Sequence, residues 1–134
     1  MSQSGSIAFC SAVVIALMTG TASGKVQIEQ DSLHQIIGIS SLVNNEAGCG
    51  LETFVGRVAK RIFASDALTI TGFVVEHADG TRNFINVYIP NSLDQFTQGA
   101  VFNGLQRLLK EGRRVTGRAQ ACGSAPVLTL EQIR

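Results

Sequence analysis

The sequence predicts a mostly β domain with one helix, in the order strand, strand, strand, helix, strand, strand. Segments rich in β-branched and aromatic residues, some with alternating apolar and polar positions, indicate the strands. One stretch with apolar residues three and four positions apart indicates a helix between the third and fourth strands. The predicted strands cover residues 53–63, 68–76, 83–89, 114–121 and 127–132.

Length and composition limit the chain to one domain and exclude several classes of protein. The 134 residues weigh 14.2 kDa, the net charge is +1, and 16% of the residues are charged while 45% are hydrophobic. The charged fraction is below the roughly 25% of an ordinary soluble protein, partly because residues 1–24 contain no Lys, Arg, Asp or Glu. These values exclude a disordered chain, a coiled coil, a multi-pass membrane protein and a strongly basic nucleic-acid packing protein.

An apolar run at the N-terminus predicts a signal peptide over residues 1–24. Residues 7–18 are apolar or small, and Ala22 and Gly24 supply the small side chains that a signal peptidase requires, so we predict cleavage after Gly24. The mature protein would then be periplasmic or secreted. The run is shorter than the ~20 residues needed to span a bilayer, so no stable membrane span is expected after cleavage. Because residues 1–6 contain no Lys or Arg, an uncleaved anchor and a buried N-terminal helix remain alternatives.

The cysteines predict one disulfide bond in the exported chain. Cys10 leaves with the signal peptide, so Cys49 and Cys122 remain, and an even count in an oxidising compartment favours a bond between them. Two free, buried thiols are the alternative. The two cysteines do not form a metal-ligand spacing with His34 and His77, so we expect no metal site.

The segment before the first barrel strand has the weakest pattern. Residues 25–50 are interpreted as an N-terminal extension, in which Leu33, Ile36 and Ile37 lie on one face of a short helix or in an irregular strand. Residues 44–50 have the composition of a loop. For the helix, we predict a capping box from Ser92 to Gln95, apolar positions on one face, and Gly112 after the C-terminus.

The order of these elements resembles the OB-fold, a five-stranded Greek-key barrel with a helix between its third and fourth strands. The resemblance covers residues 51–133 and depends on Gly56 in the first strand, Gly72 in the second, a helix over residues 100–111 and the segment 113–118 opening the fourth. The chain is also similar in architecture to small bacterial nucleic-acid-binding OB domains of the tRNA-anticodon-binding type. The resemblance implies that the first and fourth strands pair, which would bring Cys49 beside Cys122. We therefore assign residues 51–134 to an OB-fold domain.

The sequence contains no arrangement of residues typical of an enzyme. A nucleophile requires a base, and His77 lies in a predicted hairpin turn that is a poor position for an oriented imidazole. A triad of Ser65, Asp66 and His77 can be written, but the spacing of these residues does not support it. No glycine-rich segment has the phosphate-binding or dinucleotide-binding pattern, so we expect no catalytic residues and no cofactor.

Alternation in the second and third strands predicts an outward aromatic face. We expect Ile85 and its aliphatic neighbours at alternate positions to point inward. The predicted outward set is Phe73, Arg82, Phe84, Asn86 and Tyr88. Aromatic side chains on this face of OB domains stack bases or sugars. Two alternatives are that the N-terminal extension covers the rings, or that an error of one residue in strand phase places them in the core.

Cations in the first strand predict a second part of the same surface. Arg57, Lys60 and Arg61 would lie near three more cations if the first strand pairs with the fourth. Those three are Lys110, Arg113 and Arg114. Like charges held together favour an anionic ligand, although edge strands also carry Lys and Arg to prevent pairing with neighbours.

These features together predict an exported OB-fold module that binds an anionic or sugar-like polymer, either a nucleic acid or an oligosaccharide. The rival hypothesis is a protein-interaction module, such as an accessory subunit of an envelope or secretion complex. An enzyme that needs an external cofactor is a weaker third option. Salt dependence separates the first two, because binding to phosphates weakens linearly in the logarithm of salt concentration whereas an apolar protein interface tolerates salt.

Overall fold

The computed structural model describes residues 26–44, 48–124 and 127–134, and the predicted signal peptide lies outside this part of the chain. The described residues form seven strands and one helix. These elements are β1 (Gln27–Gln30), β2 (Ile36–Ser40), β3 (Cys49–Phe63), β4 (Ile70–Glu76), β5 (Arg82–Asn86), α1 (Gln95–Leu108), β6 (Arg114–Cys122) and β7 (Val127–Ile133).

Strands β3 to β7 close into a five-stranded barrel, which confirms the predicted fold class. Each strand is paired with its barrel neighbours in the cyclic order β3, β4, β5, β7, β6 and back to β3. The β5–β7 pair is parallel, with Asn86 opposite Thr129, and the other barrel pairs are antiparallel. The helix α1 connects β5 to β6. A closed barrel of this order is compatible with the OB-type topology.

The long strand β3 belongs to both sides of the barrel. It pairs with β6 from Cys49 to Arg57 and with β4 from Arg57 to Phe63. Gly56 precedes this change of partner, and a Cβ atom there would lie 2.3 Å from the carbonyl oxygen of Glu76. Glycine is therefore required where the strand crosses close to β4. The strand begins at Cys49, four residues earlier than alternation predicts, because its first residues extend along β6.

The N-terminal extension is a β-hairpin that adds two strands to the barrel sheet. Strand β1 pairs antiparallel with β2, and β2 joins β7 through Ile39 and Ile133. The predicted common face is wrong, because Leu33 lies in the turn with 74% of its surface exposed while Ile36 packs toward the core. A Cβ atom on Gly104 of α1 would lie 2.9 Å from Ile39 Cδ1, so this glycine allows the helix to approach the hairpin closely.

The helix α1 begins before the predicted range of residues 100–111, and its cap differs from the predicted one. Its N-cap is Asp94, whose carboxylate accepts hydrogen bonds from the Thr97 backbone N–H at 2.7 Å and the Thr97 hydroxyl at 3.2 Å. The capping box predicted at Ser92 is therefore wrong, because Asp94 already satisfies the first turn. The helix ends at Leu108, and Gly112 follows with φ 89°. No helix in the described part of the chain is long and apolar enough to cross a membrane.

The barrel interior contains Phe73, so the predicted outward orientation of this residue is wrong. Its exposed fraction is 0%, and its ring centroid lies 6.0 Å from that of Phe54. The register places Phe73 opposite Ile85, and directly opposed residues of an antiparallel pair share one face of the sheet. Because Ile85 points inward, Phe73 does so too, and Gly72 and Val74 lie on the outer side.

The structure confirms the predicted disulfide between Cys49 and Cys122. These residues are opposite one another at the ends of β3 and β6, with their Cα atoms 4.4 Å apart. The bond joins residues 73 positions apart, and closing a loop of that length stabilises the fold by roughly 4 kcal/mol in the chain-entropy model. The disulfide therefore fixes the register of the strand pair that closes the barrel.

Candidate functional site

The outward side chains of β3, β4 and β5 form three cross-strand rows, which we call the outer face. An irregularity between Val58 and Lys60 adds one residue to β3, so that Arg57 and Lys60 both point outward. The three rows are Arg57–Glu76–Arg82, Lys60–Val74–Phe84 and Ile62–Gly72–Asn86. Five of the predicted site residues thus lie on one surface. Three of them belong to β5 and were predicted from the alternation of apolar and polar residues in that strand.

Phe84 stands at the centre of the outer face, with 45% of its surface exposed. A Cβ atom on Gly72 would lie 2.6 Å from Phe84 Cζ, so the ring rests directly above the glycine backbone. One side of the ring is supported in this way while the rest stays accessible to solvent. Lys60 belongs to the same row and is exposed, and the half-buried Val74 lies between it and Phe84. An accessible ring close to a cation can stack a planar or sugar ring and attract a negative charge.

Beyond β5 the alternation continues to Tyr88, which lines a pocket at the end of the outer face. Tyr88 is 53% exposed, and the pocket has a volume of about 940 Å³. Its walls come from five parts of the chain. They are Val26, residues 41–44 after β2, residues 86–88, 90, 92 and 93 at and after the end of β5, Gln120 of β6 and Thr129 of β7. The N-terminal extension therefore forms a wall beside Tyr88 and leaves much of both outward rings exposed.

Two amide side chains that line the pocket donate hydrogen bonds to backbone carbonyls. Gln120, which is buried, donates from Nε2 to the carbonyl oxygen of Asn44 at 2.6 Å. Asn86 donates from Nδ2 to the carbonyl oxygen of Leu128 at 3.3 Å. These bonds orient both side chains and leave each with its amide oxygen as an acceptor and its second N–H as a donor. Sequence patterns did not identify Gln120, because its burial depends on contact with a segment 76 residues away.

Two of the cations predicted to cluster donate hydrogen bonds to backbone carbonyls at and after the end of α1. Arg57 lies opposite Arg114 in the register, as expected from the pairing of β3 with β6. However, Arg57 Nη1 donates to the carbonyl oxygen of Gly112 at 3.1 Å, and Arg113 Nη1 donates to that of Leu108 at 3.4 Å. Guanidinium groups at this position satisfy free carbonyls after the helix and interact favourably with its dipole. Part of the cluster therefore has a structural role.

Arg61 is separated from the outer face. The register places it opposite Phe73, on the inner side of the sheet, because the extra residue in β3 reverses the phase that simple alternation gives. Its guanidinium lies 5.2 Å from the ring centroid of Phe63, and its backbone N–H donates to Glu111 Oε2 at 3.2 Å. Arg61 thus lies at the edge of the barrel near the α1–β6 connection, and the predicted joining of Arg61 to the aromatic face is wrong.

Glu76 is an outer-face residue that sequence analysis missed. Its carboxylate accepts a hydrogen bond from Arg82 Nη2 at 3.2 Å, in the row that also contains Arg57. The only available signal was its position two residues after Val74, which shares its side of β4. With three cations and one anion, the outer face has an excess of two positive charges.

Asp66 and His77, two of the residues considered for a triad, form hydrogen bonds with other residues of the protein. The Thr69 hydroxyl, followed by the Thr69 and Leu68 backbone N–H groups, lowers the pKa of Asp66 in the β3–β4 turn. His77 bonds through Nε2 to Asn83 Oδ1 at 2.6 Å and through Nδ1 to the Val55 carbonyl at 3.2 Å. In the part of the chain that the structure describes, no three His, Cys, Asp or Glu side chains come together as metal ligands.

Comparison with protein-family models, with curated proteins and with solved structures finds no match to this chain. The outer face and the Tyr88 pocket are therefore the features from which a function can be inferred. Strand β5 contributes to the outer face, and the residues that follow it line the pocket, so the two features adjoin.

Proposed function

We propose that the chain is an exported binding module for an anionic or sugar-like polymer, which lies along β5 on the outer face. The observation that carries this proposal is the line of outward residues Arg82, Phe84, Asn86 and Tyr88, with two exposed rings. The two rings are four positions apart in the sequence, which corresponds to about 13 Å in an extended chain. That spacing is long enough for successive units of a polymer to contact both rings.

The charges of the outer face support a ligand with some negative charge. Arg57, Lys60 and Arg82 outnumber the single carboxylate of Glu76 on this surface. All three cations are exposed, so each contributes through water-screened attraction. Single-stranded polymers are bound by OB domains in this way, through a positive groove with aromatic rings for stacking, on the face of the second and third strands.

The disulfide supports the proposal that the protein is exported. Disulfides form and persist in the periplasm and outside the cell, and they are rare in the reducing cytosol. The bond between Cys49 and Cys122 closes the barrel, so folding in an oxidising compartment would stabilise the binding surface. Mass spectrometry of the protein recovered from its host would test both points, through the mass of the processed chain and the absence of free thiols.

An NMR titration of the purified protein with a short single-stranded oligonucleotide and an acidic oligosaccharide tests the proposed function. We expect amide shifts at β4 and β5 that weaken as salt rises, since cations contribute to binding. Phe84→Ala should weaken binding about tenfold, by loss of one stacking contact. Phe96→Ala is the matched control, because this ring is 79% exposed on α1 and belongs neither to the outer face nor to the lining of the Tyr88 pocket. The absence of shifts on the outer face with every polymer would refute the proposal.

Glu76→Gln provides a second variant of the same test. Removing the carboxylate frees Arg82 and raises the positive charge of the outer face, so affinity for the anionic oligonucleotide should rise a few-fold at low salt. A neutral ligand should show no such rise. Equal affinity of wild type and Glu76→Gln for an acidic polymer would contradict a contact between that polymer and this row.

A protein-interaction module is the second candidate function, favoured by exposed apolar residues on β3. Leu51 and Val55 point to the same side as Arg57 and are both exposed, which extends the outer face with an apolar stripe. An accessory subunit of an envelope or secretion complex would bury this stripe against its partner. Val55→Gln, which adds no charge, would then weaken co-purification of the partner at high salt while leaving polymer binding at Phe84 unchanged.

A further inference from the structure

The Tyr88 pocket differs in chemistry from the rest of the outer face. Among the described residues that line it there is no Asp, Glu, Lys, Arg or His, although the pocket adjoins a surface with four charged side chains. Its volume of about 940 Å³ lies near the upper end of the usual range for small-ligand sites, about 300–1,000 Å³. The pocket is therefore large enough for one or two rings of a ligand, and its described lining residues are uncharged.

Hydrogen-bond capacity in the pocket favours a ligand that carries hydroxyl donors. One N–H of Gln120 and one of Asn86 donate to backbone carbonyls, so each amide keeps its oxygen as an acceptor and its second N–H as a donor. Ser41, Ser92 and Thr129 add hydroxyl groups, which both donate and accept. A phosphate or carboxylate is an acceptor only, and among the described lining residues it would find no cation to offset its loss of water. A sugar presents many hydroxyl groups that match amide oxygens and hydroxyls.

The single aromatic ring of the pocket also fits a sugar better than a base. Tyr88 offers an exposed ring on which the apolar side of a sugar can lie. A base gains most of its binding energy from its two flat faces, and among the described lining residues only Tyr88 is aromatic. The polar groups, in contrast, come from four parts of the chain and surround the pocket, as the hydroxyls of a sugar ring require.

We infer that the Tyr88 pocket is the subsite for an uncharged sugar unit of the ligand. The inference rests on the proposed function, because it identifies what the polymer presents at this end of β5. A glycan with an acidic portion over Arg57, Lys60 and Arg82 would place a neutral unit beside Tyr88. The outer face then contributes attraction that depends on salt, and the pocket contributes recognition that does not.

Titration of the purified protein with neutral tetrasaccharides tests the inference. The probes are the tetramer of N-acetylglucosamine, maltotetraose and cellotetraose, with an oligothymidylate of similar length for comparison. We expect at least one tetrasaccharide to shift the amides around Tyr88, with an affinity unchanged between about 50 and 200 mM salt, since no counterions are released. Tyr88→Ala should weaken this binding about tenfold and Thr129→Val about threefold, whereas Phe96→Ala should not change it.

Charge placed at Ser92 separates a neutral occupant from an anionic one. Ser92 is exposed at the rim, so Ser92→Asp and Ser92→Lys can be made without disturbing the core. For a neutral sugar both variants should change affinity by less than about threefold and in the same direction. Glucuronic acid is the acidic probe: if it shifts the Tyr88 amides more than every neutral tetrasaccharide, and binds more tightly to Ser92→Lys and more weakly to Ser92→Asp, the inference is overturned in favour of an anionic unit.

The outcomes also separate this inference from the proposed function. If the oligothymidylate binds through Phe84 and no tetrasaccharide shifts the Tyr88 amides, the pocket does not take a sugar, while polymer binding by the outer face stands. If tetrasaccharides bind at Tyr88 and neither acidic probe shifts the outer face, the sugar subsite stands and the anionic part of the proposal fails. If the nucleoside thymidine alone shifts the Tyr88 amides more than any sugar, the pocket is a base subsite and the inference is wrong.

Discussion

The inner and outer faces of the β3–β4–β5 sheet both carry phenylalanine, yet the two rings have different surroundings. Phe73 lies inside the barrel with no exposed surface and contacts the Phe54 ring. Phe84, on the neighbouring strand, lies outside above Gly72 with nearly half of its surface exposed. The first ring therefore contributes to the stability of the fold, and the second is available to a ligand.

The difference shows how the sheet separates folding from binding within a few residues. On the inner side, Phe73 pairs with Ile85 and both belong to the core. On the outer side, the Phe84 ring contacts Gly72 and is otherwise open to solvent. A change on the inner side should alter the free energy of unfolding, and a change on the outer side should alter affinity. Variants of each face test this separation.

The largest expected effect is that of Phe73→Ala. Removing a fully buried ring leaves a cavity beside Phe54 and should lower the free energy of unfolding by about 3–5 kcal/mol. Urea denaturation measures the change. Phe96→Ala on the surface should stay within about 0.5 kcal/mol of wild type. Equal losses in the two variants would mean that Phe73 does not lie in the core.

Removal of the disulfide should destabilise both faces together. The double variant Cys49→Ser and Cys122→Ser loses a link between residues 73 positions apart, and its free energy of unfolding should fall by roughly 4 kcal/mol. Thermal unfolding with and without a reducing agent gives the same comparison in the wild type. Hydrogen exchange that accelerates only at the outer face, with the core unchanged, would contradict a global role for the bond.

Gly72→Ala should displace the outer ring without removing it. The new Cβ atom would meet Phe84 Cζ at 2.6 Å, and the exposed ring must move away at a cost of about 1–2 kcal/mol in stability. Proton NOEs between the Phe84 ring and the backbone at position 72 should be lost, and polymer binding should weaken as in Phe84→Ala. Gly99→Ala on α1, where a Cβ atom meets nothing within 4 Å, is the matched control.

The smallest expected effect lies at the helix cap, outside both faces. The Thr97 backbone N–H, followed by the Thr97 hydroxyl, lowers the pKa of Asp94 below its ordinary value of 3.8. A pKa that is lower in the folded state gives stability that is fully present above about pH 4 and is lost as pH falls through the folded value. Asp94→Asn retains a capping side chain without this titration, so its free energy of unfolding should decrease less between about pH 5 and 3. Parallel profiles for the two proteins would contradict this origin of the pH dependence.

The sequence by itself determined the order of the barrel elements, the outward alternation of Phe84, Asn86 and Tyr88, and the pairing of Cys49 with Cys122. These features depend on local periodicity and on cysteine count, which are visible in neighbouring residues. The predicted signal peptide and the proposed ligand remain predictions, because neither is tested by the described residues.

Only the tertiary structure decided the phase of β4, the position of Arg61 and the chemistry of the Tyr88 pocket. Strand β4 has apolar residues on both sides, so alternation gives two equivalent solutions, and the pairing of Phe73 with Ile85 selects one. The extra residue in β3 is invisible in the sequence because it depends on the register with β4. The pocket joins Gln120 to Asn44 across 76 positions, and such long-range contacts are fixed by packing, since no local pattern encodes them.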